Sequence, residues 1–386
     1  MIPLNVMCVF GTRPEAIKMA PVIAELGKSP LVKASVAVTA QHREMLDGVL
    51  RHFNIVPDYD LDIMRPSQSL TEVSVRAIAG LSEVYEASSP DVVLVHGDTA
   101  TTFCASLAAY YHKIKVGHVE AGLRTGDKYA PFPEEVMRRL CDSISDMHFA
   151  PTQQAKLNLL AEGIPETSIY VTGNTAIDAL LMTVKEEYEF SDLRLREMNQ
   201  RGEFRTKRIV LVEVHRRENF GEPMDKVFSA LAKLERAMPD DALMMISLHK
   251  NPEVRGPALR HLHESSRLII FEPVDYPDWA NLMARSYFLI SDSGGVQEEA
   301  PAIGKPVLLT REKTERPEAV QANTVKLVGT DPAQIFGAAM RLFDDPELYH
   351  SMSHAANPYG DGKAAVRTVA GLLHSLGLGP KPPDFR

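Results

Sequence analysis

The chain has 386 residues, 45% of them apolar and 24% charged, which is too long for one ordinary core and fits a soluble globular protein of two domains. A net charge of -9 with no clustered basic stripe argues against a dedicated nucleic-acid surface, although a few arginines can still hold a phosphate locally. No apolar run approaches the span of about 18 residues that crosses a membrane, no secretory leader is recognisable before Val6, and Cys8, Cys104 and Cys141 match neither metal-ligand nor disulfide spacing; a cytoplasmic protein is expected.

Short apolar runs alternate with longer amphipathic stretches, the pattern of βαβ units around a parallel sheet. Strands are expected at Val6 to Phe10, Ala34 to Thr39, Val92 to His96, Val116 to Val119 and His148 to Ala150, with helices such as Ala16 to Leu26 and Thr101 to Tyr111 between them. A second series follows the charge-dense segment Glu186 to Lys207, at Ile209 to Val214, Leu243 to Leu248, Leu268 to Phe271, Phe288 to Ile290 and Pro306 to Leu309. The expected architecture is therefore two doubly wound domains, 1–172 and 173–361, facing each other across a cleft. A last helix at 362–376, entered through the turn-rich Asn357-Pro358-Tyr359-Gly360-Asp361, returns to the first domain, and the tail 377–386, with three prolines, is expected to be unstructured.

Three carboxylates stand where α/β enzymes collect reacting groups, at the carboxyl ends of apolar runs: Asp98 in His96-Gly97-Asp98-Thr99, Glu120 in His118-Val119-Glu120-Ala121-Gly122, and Glu134 in Pro133-Glu134-Glu135. On spacing alone Asp98 is equally suited to capping the next helix, and Glu134 to facing a helix dipole. Glu120 ends a buried strand, and a desolvated carboxylate needs partners or a chemical role. His118, on the same strand, reads as structural.

After the first strand comes Gly11-Thr12-Arg13-Pro14-Glu15-Ala16-Ile17-Lys18, which lacks the Gly-x-Gly-x-x-Gly of a dinucleotide fold; Arg13 and Lys18 at this helix start suit either an anion or solvent. In the second half, His215-Arg216-Arg217-Glu218-Asn219 ends a strand with an imidazole and two guanidiniums, a set that suits a diphosphate. Ser291-Asp292-Ser293-Gly294-Gly295-Val296-Gln297-Glu298-Glu299 offers backbone amides to phosphate and, one turn on, a carboxylate to ribose hydroxyls. Thr314-Glu315-Arg316-Pro317-Glu318 adds an arginine at a loop-helix junction.

Taken together, these segments and Asn357-Pro358-Tyr359-Gly360-Asp361-Gly362 resemble the non-hydrolysing UDP-N-acetylglucosamine 2-epimerases, in unbroken order from Val6 to about Leu373. The resemblance implies a GT-B-like fold of two Rossmann-like domains with the active site in the interdomain cleft. It implies interconversion of UDP-GlcNAc and UDP-ManNAc without NAD, metal or other cofactor, by elimination of UDP to 2-acetamidoglucal and re-addition, supplying ManNAc-type sugars for polysaccharide synthesis. It assigns acid/base work to Asp98, Glu120 and Glu134, leaving open which acts on which sugar face, and places His215 at the diphosphate. Arg13 and Lys18 would meet the phosphates or the closed cleft, Ser293, Gly294 and Gly295 the diphosphate, Glu299 the ribose, and Arg316 the same pocket. A homodimer is implied too. Gln41 and Arg43 resemble part of a second, allosteric UDP-GlcNAc site of some bacterial members, but Ser67 stands where those carry arginine.

Other departures are Glu213-Val214 before His215, an acid expected to raise the pKa of that histidine or weaken UDP binding, and Met137 in place of an asparagine. Rival readings are a 2-epimerase of a related UDP-diacetamido uronic acid, a GT-B UDP-sugar glycosyltransferase, and a UDP-sugar-binding regulator without chemistry. Arg124-Thr125-Gly126-Asp127 ahead of Pro131-Phe132-Pro133 resembles the GlcNAc branch and disfavours the first of these.

Overall fold

A computed structural model describes residues 2–40, 43–65, 67–314 and 316–386. The chain divides into two compact units, Met1–Met182 with Tyr359–Arg386 and Thr183–Pro358. Each is a parallel sheet covered by helices, and together they make a two-domain Rossmann-like fold of the GT-B type.

The first unit has seven strands: β1 (Leu4–Phe10), β2 (Val32–Val38), β3 (Tyr59–Asp60), β4 (Val92–His96), β5 (Lys115–Val119), β6 (Met147–Ala150) and β7 (Ile169–Val171), in the order β3-β2-β1-β4-β5-β6-β7. Neighbouring β1 and β4, with Cys8 opposite Leu94, are buried on both faces, which is why they read as continuous apolar runs and not as alternating ones. Strand order reverses between them. The loops that follow leave in opposite directions and open a crevice at their carboxyl ends, where ligands of such sheets bind.

The second unit repeats the plan with β8 (Arg208–Glu213), β9 (Ala242–Ser247), β10 (Leu268–Phe271), β11 (Phe288–Ser291), β12 (Val307–Leu309) and β13 (Val325–Leu327), in the order β10-β9-β8-β11-β12-β13. Val210, Val212, Met244, Ile246, Phe288 and Ile290 pack with Phe228, Leu231 and Leu342 of the covering helices. Its reversal lies between β8 and β11, directly beneath the segments His215–Asn219 and Asp292–Gly295. No described helix is long and apolar enough to cross a membrane.

Three strands have no counterpart in the sequence reading. β3, β7 and β13 span only two or three residues, too few for a periodic signal. The polar segment 186–207 holds two short helices, Leu193–Gln200 and Glu203–Thr206, pinned by buried Leu195 and Phe204. The chain leaves the first unit after Met182, later than position 172, because the helix Thr175–Thr183 buries Ala176, Ile177, Ala179 and Leu180 there and its Asp178 accepts hydrogen bonds from the amides of Ala364 and Ala365 at 3.2 and 2.9 Å. Those amides open the last helix, Ala364–Ser375, which packs on the helix Arg13–Leu26 of the same unit.

The expectation of an unstructured tail is corrected. Residues 377–386 form no regular element beyond a turn, yet β7 is an edge strand whose backbone groups need partners, and the tail supplies them. Phe385 N donates to Val171 O at 2.8 Å and Val171 N to Asp384 Oδ1 at 3.3 Å, while the Phe385 ring is only 8% exposed and lies beneath the Arg367 guanidinium. Phe385→Ala should therefore destabilise the protein by about 3 kcal/mol, the lower end of buried Phe truncations. Thermal unfolding indistinguishable from wild type would show that the tail contributes nothing.

Candidate active site

At the first switch point the helix Arg13–Leu26 begins with a capping box, Thr12 with Glu15, and the Glu15 carboxylate is 2% exposed. It accepts from the amides of Gly11 and Thr12 at 3.0 and 2.8 Å and from the Thr99 hydroxyl at 2.7 Å, tying the loop after β1 to the loop after β4. One turn on, Lys18 reaches across the crevice to form an ion pair with Glu120. Glu120 also accepts from Asn174 Nδ2 at 3.2 Å, and its Oε2 lies 3.8 Å from His96 Nε2.

The backbone at Glu120 has φ +68°, and the amides of Glu120 and Ala121 both donate to Phe149 O at 3.0 and 3.1 Å. A non-glycine residue held in the left-handed region costs on the order of 1 kcal/mol and persists where its surroundings dictate it. Here the distortion turns the carboxylate off the end of β5 toward Lys18.

Asp98 does not cap the following helix. Thr99 does so, its side chain accepting from Thr102 N at 3.2 Å, which leaves the Asp98 carboxylate to pair with Arg138. Arg138 lies on the helix Glu134–Ile144 and also contacts the buried Glu135, whose carboxylate accepts from the amides of Thr125 and Gly126, both at 3.1 Å. Glu134 opens that helix, and its Oε2 is buried with no hydrogen-bond partner among the described residues. A surface acid serving a helix dipole would sit in water; a buried acid oxygen left unmatched points to a ligand group that completes it.

The second switch point is organised by Asp292. Buried at the end of β11, its carboxylate accepts from the amides of His215 and Arg216 at 3.0 and 2.9 Å and from Asn219 Nδ2 at 3.0 Å, which fixes the loop after β8. The His215 ring stacks on His249, with centroids 5.3 Å apart. Burial first, with His249 and Arg216, pushes the His215 pKa below its usual value against the pull of Asp292. That corrects one of the two expectations for Glu213, a raised His215 pKa: Glu213 stands 4.0 Å from His215 Nδ1, yet burial sets the net shift downward.

Ser293 is the N-cap residue of the helix Gly294–Ala302, and a Cβ placed on Gly294 would fall 2.8 Å from Arg316 Nη1 and 3.1 Å from Arg216 Nη2. Two guanidiniums therefore close over a helix start that offers free amides, an arrangement suited to a diphosphate. Arg316 is steered there by the buried Glu298, which accepts from its Nε at 2.5 Å, while Glu299 is half-buried one residue on. Gln41 and Glu315 lie outside the described residues, as does the Arg43 side chain. Among the described residues no group of His, Cys, Asp and Glu is arranged to hold a metal ion.

The structure thus brings Lys18 to Glu120, and Ser293, Gly294 and Arg316 together beside the loop that carries His215. Arg13 is half-buried at the start of its helix, and Gly295 is exposed next to Gly294. Sequence reading missed the roles of Glu15, Arg138, Asn174 and His249. Two carried a signal: Glu15 completes the Thr-x-x-Glu pattern, and Arg138 stands one helical turn from Glu134. Asn174 and His249 are brought into place only by the fold.

Fold and site together define a two-domain α/β protein that presents carboxylates at one switch point and anion-binding groups at the other. A family model described as UDP-N-acetylglucosamine 2-epimerase matches residues 24–373. UDP-N-acetylglucosamine 2-epimerase of Bacillus subtilis is 52% identical over 384 residues, 100% of this chain and 99% of that one. Among solved structures, a UDP-N-acetylglucosamine 2-epimerase assigned in Listeria monocytogenes superposes with a TM-score of 0.93 at 46% identity, each chain covered in full. The UDP-GlcNAc 2-epimerase of Neisseria meningitidis, bound to UDP-GlcNAc, does so at 0.83 and 46%, covering 96% of this chain and 100% of that one. The chain belongs to the UDP-N-acetylglucosamine 2-epimerase family.

His96 gives this site a pH signature. Burial, opposed by Glu120 and aided by Lys18, pushes its pKa from 6.5 down to about 3, so the folded protein keeps the ring neutral. As pH falls below 6.5 the unfolded chain takes up a proton that the folded chain refuses, so this contribution is present above 6.5 and lost toward 3. In thermal melts across that range, His96→Gln should lose less stability with acidification than wild type. Parallel curves would refute the assignment.

Proposed function

We propose that the protein interconverts UDP-GlcNAc and UDP-ManNAc, supplying ManNAc-type sugars for polysaccharide synthesis as a cytoplasmic homodimer. The observation that carries this reading is the set Asp98, Glu120 and Glu134, two carboxylates just past strand ends and a third at the start of the helix that carries Arg138, of which none is spent on capping a helix. Family membership supplies the substrate.

C2 of the sugar has no carbonyl next to it, so its hydrogen becomes acidic only as the C1–O bond to the diphosphate breaks and positive charge grows at C1. The bond electrons leave with UDP. A carboxylate takes the C2 proton, the C–H electrons form the C1–C2 double bond, and 2-acetamidoglucal results. In the reverse sense a carboxylic acid protonates C2 from the other face while a diphosphate oxygen re-forms the bond to C1. Acids and bases on both faces are needed, and carboxylates held by Lys18 and Arg138 suit that work.

The leaving diphosphate gains negative charge as it departs, which the Gly294 amide end, Arg216 and Arg316 would stabilise. His215, its pKa lowered, would stand at the same group as a neutral donor, and Ser293 would add a hydroxyl. Arg13 would contribute a further cation to the phosphates, and Glu299 would accept from the ribose hydroxyls. Gln41 and Arg43 would belong to a second UDP-GlcNAc site.

Incubation with UDP-GlcNAc in deuterated water should place deuterium at C2 and accumulate UDP-ManNAc; binding without exchange would sink the reading. Glu120→Gln and Asp98→Asn should each lower the exchange rate by about 10²–10⁴-fold, the usual scale for a lost acid/base group, while leaving UDP binding intact. Gly294→Ala should act on the other half of the substrate. By pushing the Arg316 guanidinium aside it should raise KM roughly tenfold, a loss of about 1.4 kcal/mol.

A further inference from the structure

His118 is fully buried, and both of its ring nitrogens face acceptors: Nδ1 lies 2.6 Å from Asp142 Oδ1 and Nε2 2.7 Å from the carbonyl oxygen of Gly97. A carbonyl cannot donate, so Nε2 carries a hydrogen. The other oxygen of Asp142 accepts from Arg124 at 2.7 Å and from the Gly122 amide at 3.3 Å, which fits an ionised carboxylate. Nδ1 must then donate as well, and the ring holds two protons. Burial alone would push the His118 pKa down, but the Cys141 sulfur and the Asp142 carboxylate outweigh it and hold it well above 6.5.

What this cation grips is the turn that carries Asp98. Gly97 has φ +70°, its amide donates to Val119 O at 2.9 Å, and its carbonyl accepts from His118, so the residue is held on both sides by β5. A Cβ built on Gly97 would lie 3.6 Å from Glu120 Oε2. Asp142 sits one turn beyond Arg138, the partner of Asp98, on the helix that begins at Glu134. One imidazolium therefore joins the strand bearing Glu120, the turn bearing Asp98 and the helix bearing Glu134.

We propose that His118, as an imidazolium clamped between Asp142 and the Gly97 carbonyl, is a positioning residue that sets the Asp98 carboxylate relative to Glu120. The inference rests on the epimerase reading for its effect on rate, and on the clamp itself for its protonation state. Carboxylates that must address two faces of one carbon have little tolerance, since a displacement of about 1 Å costs up to 10²-fold in rate.

The test has two arms. In the first, His118→Gln is compared with wild type for deuterium entry at C2 of UDP-GlcNAc. The clamp predicts kcat lowered roughly 10–100-fold, KM within about twofold of wild type, and a melt that stays cooperative. An unchanged kcat, or a loss seen only in KM, overturns it. In the second arm, nitrogen-15 histidine NMR of the wild-type protein at neutral pH reads the ring directly. Two N–H protons on His118, reduced to one in Asp142→Asn, support the clamp, and a single N–H in wild type overturns it. The second arm decides alone if His118→Gln does not fold. Wild-type protein that exchanges no C2 hydrogen would defeat the epimerase reading, and the ring protons would still judge the clamp.

Discussion

Parallel strands end by releasing backbone amides that no neighbouring strand can accept, and this fold meets that cost with buried carboxylates, most of them on the adjoining helices. Glu15 takes the amides of Gly11 and Thr12, Glu135 those of Thr125 and Gly126, and Asp292 those of His215 and Arg216. The device recurs away from the switch points, where Asp178 takes Ala364 and Ala365 and Asp278 takes Ser191 and Asp192. In each case two consecutive amides meet one carboxylate, so the local backbone has little freedom left. Bonds of this kind are roughly twice as strong as neutral ones. They are needed, because a bare carboxylate at such depth would cost several kcal/mol. At Glu15 burial still outweighs the hydrogen bonds from Thr99, Thr12, Gly11 and Thr102, leaving its pKa above the ordinary glutamate value.

These anchors let the residues beside them do something else. Because Thr99 caps its helix and Glu15 braces Thr99, Asp98 is available to Arg138. Because Asp292 holds the amides of the loop after β8, His215 and Arg216 present side chains and not backbone. The two units use opposite signs. In the first, the groups at the crevice are acids steadied by Lys18 and Arg138; in the second they are guanidiniums, that of Arg316 held by buried Glu298 and that of Arg216 carried on a backbone whose amide Asp292 holds. A nucleotide sugar has the same asymmetry, a ring that needs proton transfer and a diphosphate that needs cations.

The sequence made the paired parallel sheets legible because β1, β4, β8 and β11 are buried on both faces and so appear as unbroken apolar runs. It made the positions of Asp98 and Glu120 legible for the same reason, each following such a run, whereas Glu134, expected at the end of an apolar run, instead opens a helix well beyond β5. Their condition was not legible. Whether Asp98 caps a helix depends on a competition with Thr99 that spacing leaves even, and the left-handed turn at Glu120 comes from Phe149, a residue on another strand. The fate of the tail was hidden likewise. Its prolines suit an irregular path, and only the unpaired edge of β7 gives that path something to bind.

Two histidines in neighbouring strands show how closely charge is apportioned at this site. His118 faces Asp142 and is held protonated; His96, beside Glu120 but also near Lys18 and His118, is held neutral by burial and by those two cations. Were the roles exchanged, an imidazolium locked in the sheet would face Glu120. Instead the counter-charge at Glu120 is Lys18, an ammonium on a flexible four-carbon stem. The rigid cation sits at the Gly97 carbonyl, and the flexible one at the Glu120 carboxylate.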